Sequence, residues 1–491
     1  MAATWRARIA LGVTLVMLAG CAQGAAQSAE EPEETQEGPA VDLVGSMLLE
    51  PTSGLPGETV ALTADGLPAD TEFEVHWVTA DGEWVLEGER NEEYHGRSHP
   101  ERVEGLGVVK TDSQGGAETT FIVPEGYGFG HDVRLVDGDG VIRNKAFFDV
   151  EIEVRVSPKE GPVGTPVTIE VIGMGWQSLE NTRTVLWDNV YTGFMSAVTT
   201  DGYARAVIPA TGEPGPHRIS ILRGAYTFPY LNPQQSPRPD IPVFDATFTV
   251  TEGDPVLPPP LEDQNPPPRI REGVEPTAAG PSITTDLEAG PVETPFVITG
   301  EGFEPSVAVE LNWYRVVGNR VSGNGWDEQA LAFGSTTADE EGRISMEAVV
   351  PHDVGGAHTI EAVVGGESAA EIDFFVTPAV VSITPTQGPW GTDIVIQITG
   401  VGWTETANIY TLTYDNSYMG YACGFNSQGD VEITLPAVGS PGWHFIDLYP
   451  AIYKGKESPG QQNFRLPQLT YEEDHPGEDL PAFHLAFFLE G

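Results

Sequence analysis

Four histidines hold the same place in four similar stretches of this chain: His131 in GFGHDVRLV, His217 in GPHRISI, His358 in GGAHTIEAV and His444 in GWHFIDL. Histidine titrates near neutral pH and serves as a base or a metal ligand. A ligand site repeated in every copy is one reading. The structural reading is preferred: an imidazole at a strand start packs on the end of a sandwich and bonds a loop carbonyl. A second constellation occurs in only two of the four stretches. Asp188, Asn189, Tyr191 and Gly193 recur as Asp415, Asn416, Tyr418 and Gly420, giving D-N-x-Y-x-G. Asp-Asn tolerates left-handed backbone and makes a tight turn, with the aromatic packed across the strand. The same oxygens would suit a Ca²⁺ loop, and the tyrosines a sugar or peptide. Asp188, Asn189, Tyr191, Asp415, Asn416 and Tyr418 are therefore the candidate ligand-binding residues.

Other chemistry is weaker. His95 and His99 lie near Glu92 and Glu93, and i,i+4 histidines on a helix bind Zn²⁺. Gly96 and Pro100 break a helix there and no third ligand is evident, so a polar loop is expected. The VDGDG run at 136–140 resembles half a calcium loop but lacks its closing acid; a hairpin turn is expected. The chain has no G-x-S-x-G elbow, H-E-x-x-H, Walker loop or dinucleotide fingerprint. It is read as a non-enzyme. No cofactor or metal is assigned, Ca²⁺ being the one open case.

The elements that must position these residues repeat as well. Residues 51–67 (PTSGLPGETVALTADGL), 158–176 (PKEGPVGTPVTIEVIGMGW), 286–303 (DLEAGPVETPFVITGEGF) and 385–403 (PTQGPWGTDIVIQITGVGW) share a Gly/Pro turn, an alternating apolar strand and a Gly-x-Gly-aromatic ending or a relative of it. Each continues to an alternating strand ending in Pro124, Pro209, Pro351 or Pro436, then to its histidine strand. Period-two alternation broken by Gly and Pro is the pattern of antiparallel strands. Fixed-pattern recurrence marks an array of domains. Several short strands per hundred residues imply β-sandwiches, so the fold class is all-β.

The P-x-x-G-x-x-G…V-x-I-x-G-x-G-F/W opening with its later G-x-H-x-I-x-V strand resembles the immunoglobulin-like IPT/TIG domain of bacterial surface proteins. The resemblance implies a tandem array of four immunoglobulin-like sandwiches over residues 43–491. The second and fourth copies fit best. The first keeps only Gly66-Leu67 of the closing motif, and the third has Glu293 in place of the turn glycine.

The copies also pair off. The second and fourth share D-N-x-Y-x-G and a similar last strand; the first and third carry VHW (75–77) and LNWY (311–314) instead. The order is A1 (43–153), B1 (154–252), A2 (281–378), B2 (379–491), as if a two-domain unit were duplicated. Residues 253–280 form a proline-rich linker, expected to be an extended spacer of about 3 Å per residue. An elongated chain with its two pairs held apart is expected. YLNPQQSPRP (230–239) and YKGKESPGQQNFRLP (453–467) are long loops; such loops bind ligands or cover sheet edges.

Residues 1–20 read as a targeting segment. Arg6 and Arg8 precede an apolar run that closes on Leu18-Ala19-Gly20-Cys21, which resembles a bacterial lipoprotein signal. Cys21 would then be lipidated and 21–42 a disordered acidic tether. Cys423, the other of 2 cysteines, reads as a buried core thiol. The net charge of −49, from 73 acidic and 24 basic residues, argues against nucleic acid, whose binding needs basic patches. The expected protein is lipid-anchored in the cell envelope, extracytoplasmic, and held to the membrane by acyl chains. It binds or adheres through its B-type domains, to an envelope protein or glycan. Two alternatives are a structural spacer or assembly subunit, and a non-catalytic polysaccharide-binding accessory to a secreted enzyme. The last requires exposed, coplanar rings among Tyr191, Tyr230, Tyr418 and Tyr453.

Overall fold

The computed structural model describes residues 39–88, 90, 93–225, 227–272, 280–319, 325–425, 427–453, 465–477 and 479–491. Cys21, nearly all of the tether, Glu92, linker residues 273–279 and loop residues 454–464 lie outside the described residues.

Alternation sets the strands. In Pro166–Ile172, the side chains of Val167, Ile169 and Val171 are fully buried while their neighbours face the other side. One strand order then occurs four times. In B1 a small sheet joins Glu153–Ser157, Pro166–Ile172 and Ala204–Pro209; a larger one joins Glu160–Pro162, Phe244–Thr251, Gly215–Ala225, Thr182–Trp187 and Val190–Ser196. In B2 the small sheet is Ala379–Thr384, Asp393–Thr399 and Val431–Pro436. Its larger one is Gln387–Gly388, Phe483–Leu489, Gly442–Ala451, Ile409–Tyr414 and Ser417–Cys423. A1 and A2 follow the same plan. In each domain the short first strand of the larger sheet runs parallel to the last, and the remaining pairings are antiparallel. This is the tandem immunoglobulin-like all-β class expected.

The two A–B joints are built alike. Gly128 N–H donates to Met174 O (3.0 Å) in the first pair, and Gly355 N–H to Val401 O (3.0 Å) in the second. Neither glycine has room for a side chain: a Cβ would lie 1.9 Å from Gly173 O or 2.0 Å from Gly400 O. The tryptophan that ends the B opening motif closes each joint. Trp176 meets Tyr127 and His131 of A1 edge-on; Trp403 meets Trp326 of A2.

The linker does not hold the pairs apart, and this corrects the expected spacer. Val256 N–H donates to Val163 O of B1 (3.0 Å). A few residues on, Gln264 exchanges two hydrogen bonds with the His484 main chain, and Asn265 two with Val380, both in B2. The linker is a strap across both B domains. Its prolines stiffen it, but the half-buried side-chain pairing of Gln264 and Asn265 fixes its path. The halves also meet directly. The hairpin Glu83–Glu87/Glu93–Ser98 of A1 places Tyr94 N–H on Glu405 of B2 (2.7 Å), and the tip residue Arg90 bonds Ala357 O (2.8 Å) and Thr359 (2.7 Å) of A2. Thr182–Trp187 and Ile409–Tyr414 are buried along their whole length rather than alternately.

Candidate functional site

The four matching histidines share one geometry. Each ring stacks on the aromatic of the neighbouring central strand: His131 on Trp77 (4.3 Å between centroids), His217 on Trp187 (5.4 Å), His358 on Trp313 (4.9 Å) and His444 on Tyr414 (5.3 Å). Each Nε2 also meets a loop carbonyl, of Tyr127, Glu213, Val354 or Ser440, at 2.8–2.9 Å. The Nδ1 partner divides the copies. In the A domains it is a carbonyl, of Val78 or Tyr314. In the B domains it is the aspartate of D-N-x-Y-x-G: Asp188 at 2.6 Å and Asp415 at 2.5 Å. Burial pulls His131 below the usual imidazole range. Burial also works against a charged His444, but the Asp415 carboxylate outweighs it and holds that ring above the usual range.

The D-N-x-Y-x-G residues make the tight turn that Asp-Asn suits. Asp188 and Asn189 have φ of 47° and 67°, Asp415 and Asn416 of 48° and 62°, a two-residue left-handed hairpin turn. The second carboxylate oxygen of each aspartate accepts a main-chain N–H, from Arg218 (2.8 Å) or Phe445 (3.0 Å). Both aspartates are thus clamps between the turn and the histidine strand. Tyr191 donates to Thr227 O (2.7 Å) and Tyr418 to Arg465 O (2.5 Å).

The two motif copies, placed 227 positions apart in sequence, also face each other. Tyr191 and Tyr418 meet edge-to-face at 6.3 Å. Asn416, fully buried, donates to Pro209 O (2.8 Å) and Thr211 Oγ1 (3.2 Å) of B1, whereas Asn189 is exposed. The Asn416 turn and the two motif tyrosines therefore lie in a B1–B2 contact, while the Asp188–Asn189 turn faces solvent. Nor do the tyrosines form a coplanar platform: Tyr191, Tyr230, Tyr418 and Tyr453 are each half-buried, and Tyr453 lies against Tyr421, with the Arg465 guanidinium 4.9 Å from its ring.

The described part of the C-terminal loop covers an edge. Phe194 N–H donates to Pro467 O and Leu469 N–H to Phe194 O, so this segment extends the B1 sheet past Val190–Ser196. Beyond it Asp474 ties three domains. Its carboxylate accepts from Trp84 Nε1 of A1 and from Val198 N–H, Thr199 N–H and Thr199 Oγ1 of B1. Burial raises this carboxyl above its usual range, against the opposing pull of those donors. Sequence reasoning missed Asp474, which no motif marks.

The remaining candidates resolve simply. His95 lies on a hairpin strand, neither a helix nor the loop expected, 3.4 Å from Glu87 and from Glu93. His99 packs edge-on to Tyr127, and burial, then Arg97, push it down to about 4. Asp137 of VDGDG closes a hairpin turn, accepting from Asp139 and Val141 N–H and from Arg143 Nε. Among the described residues no group of three or more His, Cys, Asp or Glu side chains could hold a metal ion. Cys423 corrects the expected core thiol: it ends an edge strand whose side chains alternate outward, and it is exposed.

No family model matches the chain, and no curated protein matches it significantly. Among solved structures it is similar to Salmonella α2-macroglobulin reacted with methylamine, at 10% identity and a TM-score of 0.19, over 91% of this chain and 31% of that one. The four-domain ICAM-5 D1–D4 ectodomain fragment gives 11% identity and 0.18, over 91% and 99%. A Corynebacterium diphtheriae protein described as membrane-anchored gives 10% and 0.18, over 68% and 89%. The chain spans about a third of the macroglobulin's length. At scores this low the immunoglobulin-like assignment rests on the strand order above.

Proposed function

We propose that the protein is a lipid-anchored scaffold of the cell envelope, built from IPT/TIG-like repeats, that works through contacts between protein surfaces. Acylation at Cys21 would hold it to the outer face of the membrane. Its role is assembly or adhesion with an envelope protein rather than catalysis or the holding of a small ligand. One observation favours this over the glycan and calcium readings. The aspartate carboxylates and the tyrosines of D-N-x-Y-x-G are engaged within the chain, in both copies. A scaffold's domains are expected to contact one another, as A1, B1, A2 and B2 do.

A thermal-shift series on the full chain tests the reading. Ca²⁺ and envelope glycans are expected to leave the melting temperature unchanged within error. A rise of several degrees with either would overturn it, because a ligand selective for the folded state must stabilise it. Metabolic labelling with radioactive palmitate tests the anchor: incorporation should vanish in Cys21→Ser.

A further inference from the structure

The turn that opens each domain is a position where four copies can be compared. Pro56 in A1, Val163 in B1 and Val292 in A2 occupy it half-buried; B2 has Trp390, 71% exposed. An indole so displayed leaves a large apolar surface in water, and no fold requirement explains it, since three copies do without it. Nearby, Val438 of B2 is 38% exposed where its counterpart Thr211 is 2% exposed.

The covered copy shows what such a turn receives. Over Gly164 of B1 there is no space: a Cβ would lie 2.0 Å from Val256 O of the strap and 2.5 Å from the Phe445 ring. Val256 N–H bonds the Val163 carbonyl. Val256, Leu257, Pro258 and Pro259 run on beside Pro166 and Phe445, around a small apolar cavity of about 170 Å³. The equivalent glycine in B2, Gly391, faces open space: a Cβ there would meet nothing within 4 Å. Trp390 O accepts no hydrogen bond among the described residues. So the same scaffold turn is seated by an extended, proline-bearing segment in B1 and stands open in B2, with a larger aromatic.

We infer that the end of B2 formed by Trp390 and Gly391 is a docking site for an extended, proline-bearing segment of a partner protein. The inference rests on the protein-contact reading above and names the kind of partner. The chemistry is consistent throughout. Polyproline segments are already extended, so docking orders little chain, and they pack on aromatic surfaces. Tryptophan is the residue most enriched among those that dominate binding energy. The open Trp390 carbonyl offers the main-chain acceptor that Val163 uses in B1.

The experiment titrates full-length protein with the synthetic peptide Asp-Pro-Val-Leu-Pro-Pro-Pro, following tryptophan fluorescence and calorimetry. A control peptide replaces the prolines with alanine. The proline peptide is expected to bind, the control at least tenfold more weakly. Trp390→Ala should reduce peptide affinity at least tenfold without moving the melting temperature, and Trp390→Val should do so partially. No binding at millimolar peptide, or equal binding by Trp390→Ala, overturns the site. If peptide fails while Ca²⁺ and glycans still leave the melting temperature unchanged, the docking site falls and the scaffold reading stands. If oligosaccharides bind and Trp390→Ala abolishes it, both fall.

Discussion

The side-chain amide of Asn416 donates to the main-chain carbonyl of Pro209 at 2.8 Å, and this bond joins the two halves of the chain. Asn189 holds the same place in the other motif copy, with the same left-handed backbone, and faces solvent. One motif therefore has two fates, fixed by which end of which domain lies opposite.

That pair makes a controlled comparison. Asn416→Ala and Asn189→Ala both put alanine on a left-handed residue, at a similar cost of about 1–2 kcal/mol. Only Asn416→Ala also loses buried hydrogen bonds, worth about 1–3 kcal/mol more. Denaturant melts should show the larger loss of stability in Asn416→Ala. Equal losses would mean the contact contributes nothing.

The aspartate clamps predict a structural outcome for the double variant Asp188→Ala/Asp415→Ala. Each substitution strands a main-chain N–H and a stacked histidine. The variant should unfold at a clearly lower temperature than the parent in a calorimetric scan. An unchanged transition would return these residues to the pool of free ligand groups.

The pH dependence of one clamp has a definite sign. The folded state holds His444 above its usual range, so it binds this proton more tightly than the unfolded chain does. The resulting stabilisation is complete below about pH 6.5, the unfolded value, and fades as pH rises through the higher folded value. The stability gap between parent and Asp415→Asn should therefore narrow from pH 6 to pH 8.5. A constant gap would show that the pair is not ionic.

His475 works in the other direction. Its ring nitrogens are buried, and burial pulls it down to about 4. The unfolded chain takes up this proton first, so stability is lost as pH falls from about 6.5 towards 4, by at most about 3 kcal/mol. His475→Gln should flatten that part of the stability profile measured in urea. A profile as steep as the parent's would assign the acid sensitivity elsewhere.

Much of the fold was legible in the sequence because alternation is local. Val167, Ile169 and Val171 announce a buried face without reference to anything distant. The histidines were legible as framework because all four copies have them, and a stack on the neighbouring strand suits every copy. The pairing of A and B was legible from unshared motifs, and the structure adds matching joints at Gly128 and Gly355. What sequence did not carry were contacts across domains. Asn416 meets a residue 207 positions away, and nothing in D-N-x-Y-x-G distinguishes it from Asn189. Proline content suggested a spacer, but Gln264 and Asn265 decide the linker's path by their pairing with B2. Asp474 bonds Trp84, 390 positions upstream, and lies in one of many acidic runs. Trp390 was visible as the odd residue of four aligned turns, a signal available from comparing the copies.

The central claim is that B1 and B2 dock through the Asn416 turn. The most direct measurement is disulfide trapping with Thr211→Cys and Asn416→Cys in a Cys423→Ser background, because the native side chains meet at 3.2 Å. Mild oxidation of the folded protein is predicted to give an intramolecular disulfide in high yield, read by intact mass and by non-reducing electrophoresis. Two thiols that stay fully open to alkylation in a folded chain would contradict the docking.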